Sequence, residues 1–266
     1  MGEPWETLWQ LCGQEPRLEM LVLDMPWDSG KFAVVLDGVF SAAECQALIV
    51  RSEGLGWVPA EVNVGHGLQL VKKDMRDSDR CIIDDPTTMA ELWQRIKSAL
   101  SSGDGSALAS LRSVPASVWT PVGLNERMRI LRYSAGQFFA PHFDGSFVRR
   151  GNDAGGKVRG GETSFITCQL YLSEDMEGGA TRFSDPVRPS QFVDVVPKVG
   201  RVLLFQHDLF HEGAPLSSGT KYCLRTDLMF APGDVPDREY SKAPIHISAP
   251  APPASRSSAD AGFTTP

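Results

Sequence analysis

Near residue 126 the spacing of apolar positions changes from three or four residues to two. Before that point, "FAVVLDGVFSAAECQALIVRSEGLGW" reads as a short strand, a turn and a helix. Ser41 is placed to cap the helix, Glu44 to close a capping box, and Gly54 to end it. After Pro86, the recurrence of Met89, Leu92, Ile96 and Leu100 predicts a second helix with one core-facing stripe. Residues 101–110, "SSGDGSALAS", read as a loop by composition. Beyond 126, "RMRILRY", "FFAPHFD", "SFITCQLYL", "ATRFS", "QFVDVV", "GRVLLF" and "KYCLRTDLMF" are short alternating runs separated by Gly, Pro and Asp, which predicts a sandwich or barrel. Residues 1–31 form an irregular lead-in, and 231–266, rich in Pro, Ala and Ser, are expected to be disordered. The folded part is then one domain over 32–230, with helical support in 32–125 and a β core in 126–230.

With 266 residues, 42% of them hydrophobic, the chain is long enough to bury a sizeable core. Its net charge of -7 argues against a general affinity for nucleic acid or anionic membrane. No apolar run approaches the roughly 18 residues of a membrane span, and "MGEPWETLWQ" lacks the basic start and apolar core of a secretory signal. A cytoplasmic setting is the expectation. The five cysteines are odd in number and contain no CxxC pair, so neither a disulfide framework nor a cysteine zinc site is indicated.

Candidate chemistry begins at "FFAPHFDGSF". On a strand, residues two apart project from one face, so His142 and Asp144 converge. An imidazole and a carboxylate so placed are two of the three ligands of a facial triad, which holds Fe(II) and leaves other positions open. His211, at the start of the last strand pair, is the candidate third ligand, and His207 reads as structural or solvent-facing. In "KYCLRTDLMF", Leu224, Leu228 and Phe230 share one face, while Lys221, Cys223, Arg225 and Asp227 share the other. If helices cover the greasy face, the charged one looks into a pocket. A buried cation there is costly unless it meets an anion, which makes Lys221 a candidate for gripping a carboxylate-bearing ligand. Arg129 lies on the same strand face as Tyr133. With Arg225 and Asp227 it gives a pocket wall of both charges, suited to a polar or zwitterionic substrate. The Gly-rich stretch 145–164 is a candidate substrate flap.

Taken in order, "RYSAGQFFAPHFDG", "CQLYLSEDMEGGATRF" and "GRVLLFQHDLFHEGAPLSSGTKY" resemble the iron and 2-oxoglutarate dependent dioxygenases, in particular the prolyl 4-hydroxylase and lysyl hydroxylase branch. The resemblance runs from Phe32 to Phe230 and is strongest from Arg127 onward. It implies a mainly β fold with flanking helices (α+β), built on a double-stranded β-helix core of the jelly-roll, cupin-like kind packed against N-terminal helices. It implies His142, Asp144 and His211 as iron ligands, and Lys221 as the clamp on the far carboxylate of 2-oxoglutarate. Tyr133, Tyr171 and Thr181 fall where relatives contact the same cosubstrate. Arg225 is the alternative clamp, because other branches place an arginine farther along this strand.

The cofactors implied are Fe(II) and 2-oxoglutarate, with ascorbate as reductant, and the partners are O2 and a polar small molecule or peptide. The reaction implied is hydroxylation of an unactivated C–H bond, coupled to conversion of 2-oxoglutarate to succinate and carbon dioxide. A prolyl 4-hydroxylase-like peptidyl hydroxylase is the first reading, and a small-molecule, amino-acid-like oxygenase the second. A cupin-like metal-binding protein without oxygenase activity is the third, and it has no use for an inward cation at Lys221.

Overall fold

A computed structural model describes residues 18–64, 68–102, 105–114, 119–149 and 161–233. Cys12, His66, His246, the central part of the candidate flap (150–160) and the tail from 234 lie outside the described residues. In chain order the elements are β1 (Glu19–Val22), β2 (Ala33–Asp37), α1 (Ala42–Leu55), β3 (Val58–Pro59), β4 (Val62–Asn63), β5 (Gln69–Leu70), β6 (Arg76–Asp77) and β7 (Asp79–Asp84). Next come α2 (Pro86–Ser101), α3 (Ser106–Ser113), β8 (Trp119–Leu124), β9 (Arg127–Ser134), β10 (Phe138–His142), β11 (Thr163–Tyr171) and β12 (Met176–Gly178). The chain continues through β13 (Thr181–Ser184), β14 (Phe192–Val195), β15 (Val202–Gln206), β16 (His211–Gly213) and β17 (Leu216–Pro232).

Alternating strands with two apolar faces to satisfy produce three layers. A large antiparallel sheet runs β1-β2-β15-β11-β17-β9-β7-β3, with β12 and β8 also pairing to β17. A five-stranded sheet, β14-β13-β16-β10-β6, lies against one face of it. This is the jelly-roll expected. The helices cover the other face: Met89, Leu92, Trp93, Ile96 and Leu100 of α2 pack with Ile130, Cys168, Leu170, Leu224 and Leu228. The second apolar cluster, including Leu131, Tyr171, Phe183, Leu203, Phe205 and Cys223, sits between the sheets. Alternation along β17 therefore sends even-numbered Leu224 and Leu228 to the helices and odd-numbered Cys223 to the inter-sheet space, as the residue pattern requires.

Local signals explain the helix boundaries. In α1 the Ser41 side chain accepts from Glu44 N, and the Glu44 carboxylate accepts from Ser41 N at 2.8 Å. In α2, Asp85 caps Thr88 N at 3.0 Å and Pro86 occupies the first turn, where a missing N–H costs nothing. No helix among the described residues is long and apolar enough to cross a membrane.

The structure departs from the sequence expectations in several places, one being that β17 runs to Pro232, two residues into the tail expected to be disordered from 231. Helix α1 passes through Gly54 and ends at Gly56, whose positive φ of +88° is a backbone conformation that favours glycine and breaks the helix. Part of the stretch read as loop at 101–110 is helical, because α3 anchors Ala107 and Leu111 in the helix-side core. The lead-in contains β1, paired residue for residue with β2. The segment read as helical support also contributes strands β3 to β8, with β6, β7 and β8 recruited by pairing to β10, β9 and β17.

Candidate active site

The His142–Asp144 pair lies at the end of β10, and His211 opens β16. These strands are neighbours in the small sheet, and His142 and His211 stand directly opposite each other. Their ring centroids are 4.3 Å apart. Phe139 stacks on His142 at 3.7 Å, and Phe205 meets His211 edge-on at 4.6 Å, so the phenylalanines form the walls that fix the imidazole planes. Asp144 lies just past the strand, where its N–H donates to the carbonyl of His207 at 3.0 Å.

One donor atom from each of His142, Asp144 and His211 lies within 4.8 Å of the others. The tautomers suit a metal. Nδ1 of His142 faces the carbonyl of Ala140 at 2.8 Å, and Nδ1 of His211 faces that of Leu209 at 2.9 Å. Each Nδ1 therefore carries the proton, leaving both Nε2 lone pairs free on the side of Asp144, at 3.7 and 3.8 Å from its oxygens. Burial lowers the His211 pKa to about 4, so its imidazole is neutral at neutral pH. Burial resists ionisation of Asp144, but the Arg225 guanidinium and the two histidines hold its carboxyl well below the usual carboxylate range. Two imidazoles and one carboxylate are the donor set that suits Fe(II) with open positions.

The triad opens into a cavity of about 580 Å³ between the sheets, and Lys221, Tyr133, Thr181, Arg225, Arg129 and Asp227 line it as well. Lys221 is 3% exposed. Its ammonium donates to the carbonyl of Gly179 at 2.6 Å and lies 5.3 Å from the Tyr133 ring and 5.6 Å from the Tyr171 ring. Burial pushes its pKa down, and it forms no ion pair with a carboxylate among the described residues. Arg225, by contrast, is committed: its Nη2 lies 3.2 Å from both Asp144 and Asp227. The structure thus separates two cations that strand parity alone left equivalent.

The remaining candidates divide similarly. Tyr133 is directly opposite Lys221 in the β9–β17 ladder. Tyr171 sits beneath the cavity rather than in its lining. Wholly buried, it donates its hydroxyl to Thr181 Oγ1 at 2.7 Å, and burial raises its pKa. Arg129 lies 3.4 Å from Asp227, so the mixed-charge wall exists as an internal pair. His207 is buried and lies 3.6 Å from Asp227, a structural rather than solvent-facing position. Gly145, Ser146 and Phe147 of the candidate flap line the cavity.

Several cavity residues escaped the sequence reading. Thr167, whose hydroxyl donates to Asp144, shares a strand face with Tyr171 and could have been found from β11 parity. Arg76 and Glu61 come from two-residue strands or their flanks and carry no periodic signal.

Residues 128–226 match the family model described as the 2OG-Fe(II) oxygenase superfamily. No curated protein matches the chain by sequence. Similar solved structures include a viral collagen prolyl hydroxylase from Paramecium Bursaria Chlorella virus-1 in complex with 2OG, at 20% identity, covering 76% of this chain and 97% of that one with a TM-score of 0.44. A Pseudomonas putida prolyl-4-hydroxylase is 17% identical over 74% of this chain and 91% of its own, with a TM-score of 0.47. A Trichoplax adhaerens prolyl hydroxylase, in complex with a hypoxia inducible factor peptide fragment, is 13% identical over 85% and 93%, with a TM-score of 0.44.

Proposed function

We propose that this chain, whose residues 128–226 match the 2OG-Fe(II) oxygenase superfamily model, is a 2-oxoglutarate-dependent dioxygenase that hydroxylates an unactivated C–H bond of a peptidyl residue, with proline the first to test. The observation that carries the site assignment is the carboxylate-free ammonium of Lys221 in the same cavity as the three converging donors. A buried charge without an anionic partner is costly, and an anionic cosubstrate bound in the same cavity would remove that cost.

In this reading His142, Asp144 and His211 hold Fe(II), and Lys221 binds the distal carboxylate of 2-oxoglutarate beside Tyr133 and Thr181. Bound iron and cosubstrate supply the oxidising chemistry, in which decarboxylation to succinate accompanies insertion of one oxygen atom from O2 into a C–H bond. The chain orients these groups and excludes water. Phe139, Phe183 and Phe205 surround the imidazoles, and Thr181 is held by Tyr171 and by Gln169 Nε2 at 3.0 Å.

A peptide is favoured by the mouth of the cavity. Phe143 and Phe147, 55% and 38% exposed, line the cavity, and exposed Val64, Leu68 and Leu70 neighbour in sequence the β4–β5 residues Asn63 and Gln69 that line it as well. Such a rim serves residues on either side of the one inserted, which a free amino acid lacks. The small-molecule reading is favoured by the Arg129–Asp227 wall, which could receive a zwitterion.

The test is anaerobic titration of Fe(II) and 2-oxoglutarate into metal-free protein, followed by the visible charge-transfer band of the chelate. The band is expected in wild type and absent in His142→Ala; metal binding without a band refutes the dioxygenase assignment of the site. Succinate release, with ascorbate present, is then compared for proline-containing peptides and free amino acids. Stimulation by the amino acids alone replaces the peptide reading.

A further inference from the structure

Asp144 is held by more than the two histidines. Thr167 donates to its Oδ2, and Arg225 Nη2 lies 3.2 Å from its Oδ1. The same Nη2 lies 3.2 Å from Oδ1 of Asp227, and Asp227 Oδ2 is 3.4 Å from Arg129 Nη1. These side chains come from three adjacent strands of the large sheet. Thr167 of β11 is opposite Asp227 of β17, and Arg225 of β17 is opposite Arg129 of β9. The large sheet therefore reaches across the cavity to a carboxylate whose histidine neighbours belong to the small sheet.

We propose that Arg225 is a positioning residue for Asp144: braced by Asp227 and Arg129, it sets the carboxylate's orientation toward the metal and is thereby withheld from the cosubstrate. The inference rests on the metal reading above and extends it. Each Asp144 oxygen has one partner from the large sheet, so its orientation is defined by the fold and not by the metal alone. A guanidinium suits this task because it is planar, always charged and able to address two carboxylates at once. Asp227, 1% exposed and with His207 at 3.6 Å, cannot move away into solvent, so the brace is anchored at its far end. Lys221, two pleats along the same strand face, has no such commitment and remains for the cosubstrate.

The experiment is anaerobic titration of metal-free protein with Co(II), a redox-stable probe with a visible d–d spectrum, in wild type, Arg225→Gln, Arg225→Lys and Asp227→Asn. Outer partners of metal ligands typically change metal affinity by about 10- to 100-fold. A loss of about that size is expected in Arg225→Gln, with a shifted d–d spectrum and partial rescue in Arg225→Lys. Asp227→Asn, which touches no ligand, should weaken Co(II) in the same direction. At saturating Co(II), 2-oxoglutarate affinity should be unchanged in Arg225→Lys and lost in Lys221→Met. If Arg225→Gln does not fold, Arg225→Lys and Asp227→Asn carry the test. Wild-type Co(II) affinity in the Arg225 variants overturns the proposal, whether or not 2-oxoglutarate binding is lost. A His142→Ala protein that still binds Co(II) would instead remove the metal reading, so the two failures are distinguishable.

Discussion

Replacing Lys221 by methionine should weaken 2-oxoglutarate binding while leaving the ligand-free protein at least as stable as before. Removing one member of a buried, hydrogen-bonded charge pair costs about 2–5 kcal/mol. At about 1.4 kcal/mol per decade, that is a rise in Kd of roughly 30-fold to a few thousand-fold. In the absence of cosubstrate the balance differs. The variant loses the hydrogen bond to the Gly179 carbonyl, worth about 1 kcal/mol, and the attraction to two tyrosine faces, about 0.5–2 kcal/mol. It is relieved of desolvating an ammonium, which costs several kcal/mol. Burial is the largest influence on Lys221 and lowers its pKa, so the relief prevails. The pH dependence has a definite sign. Between the lowered folded pKa and the ordinary 10.5 the unfolded state binds more protons, so wild-type stability rises with pH across that window. The penalty is fully present below the folded pKa, and the methionine variant lacks this slope. Denaturant unfolding of ligand-free protein and calorimetric titration with 2-oxoglutarate at saturating Co(II) measure the two halves. A variant that binds 2-oxoglutarate normally but unfolds more easily would refute the reasoning and make Lys221 a structural residue.

Two further expectations follow from the same cavity. His211 has a folded pKa of about 4 against 6.5 for a free imidazole, so the unfolded chain takes up the proton first. Metal-free protein should lose roughly 3 kcal/mol as pH falls through that window, and His211→Asn should flatten the dependence of urea midpoint on pH; equal slopes would count against it. Gly179 has φ +68°, and an added Cβ would stand 2.9 Å from Leu216 Cδ1 and 3.3 Å from Lys221 Cδ. Gly179→Ala should cost about 1–2 kcal/mol of stability from the left-handed backbone alone. It should also weaken 2-oxoglutarate binding without changing Co(II) affinity, as titration of the two ligands would reveal.

The parts of the fold that could be read in advance are those in which one chain segment carries its own signal. Helix α2 shows its stripe from Met89 to Leu100, and β17 shows two chemically opposite faces; both orientations hold in the structure. The His142, Asp144 and His211 cluster was legible because strand parity and motif order agree. Other features depend on a distant partner. Strands β6 and β7 exist because β10 and β9 offer them edges, and nothing in "RDSDRCIIDD" announces this. Helix α3 hides in a serine- and glycine-rich stretch because only Ala107 and Leu111 reach the core. The different surroundings of Lys221 and Arg225 were not legible, since both lie on one face and only distances show that Arg225 has carboxylate neighbours.

β17 pairs with β8, β9, β11 and β12 while its odd-numbered residues furnish Lys221, Arg225 and Asp227 to the cavity. Such a strand tolerates changes of letter but not of reading frame. Inserting or deleting a single residue between Thr220 and Arg225 would exchange the two faces downstream, turning charge toward the helices and leucine toward the cavity. Anyone grafting new specificity onto this scaffold therefore has room to vary length in the connections around the cavity mouth, whereas along β17 the only available variable is side-chain identity.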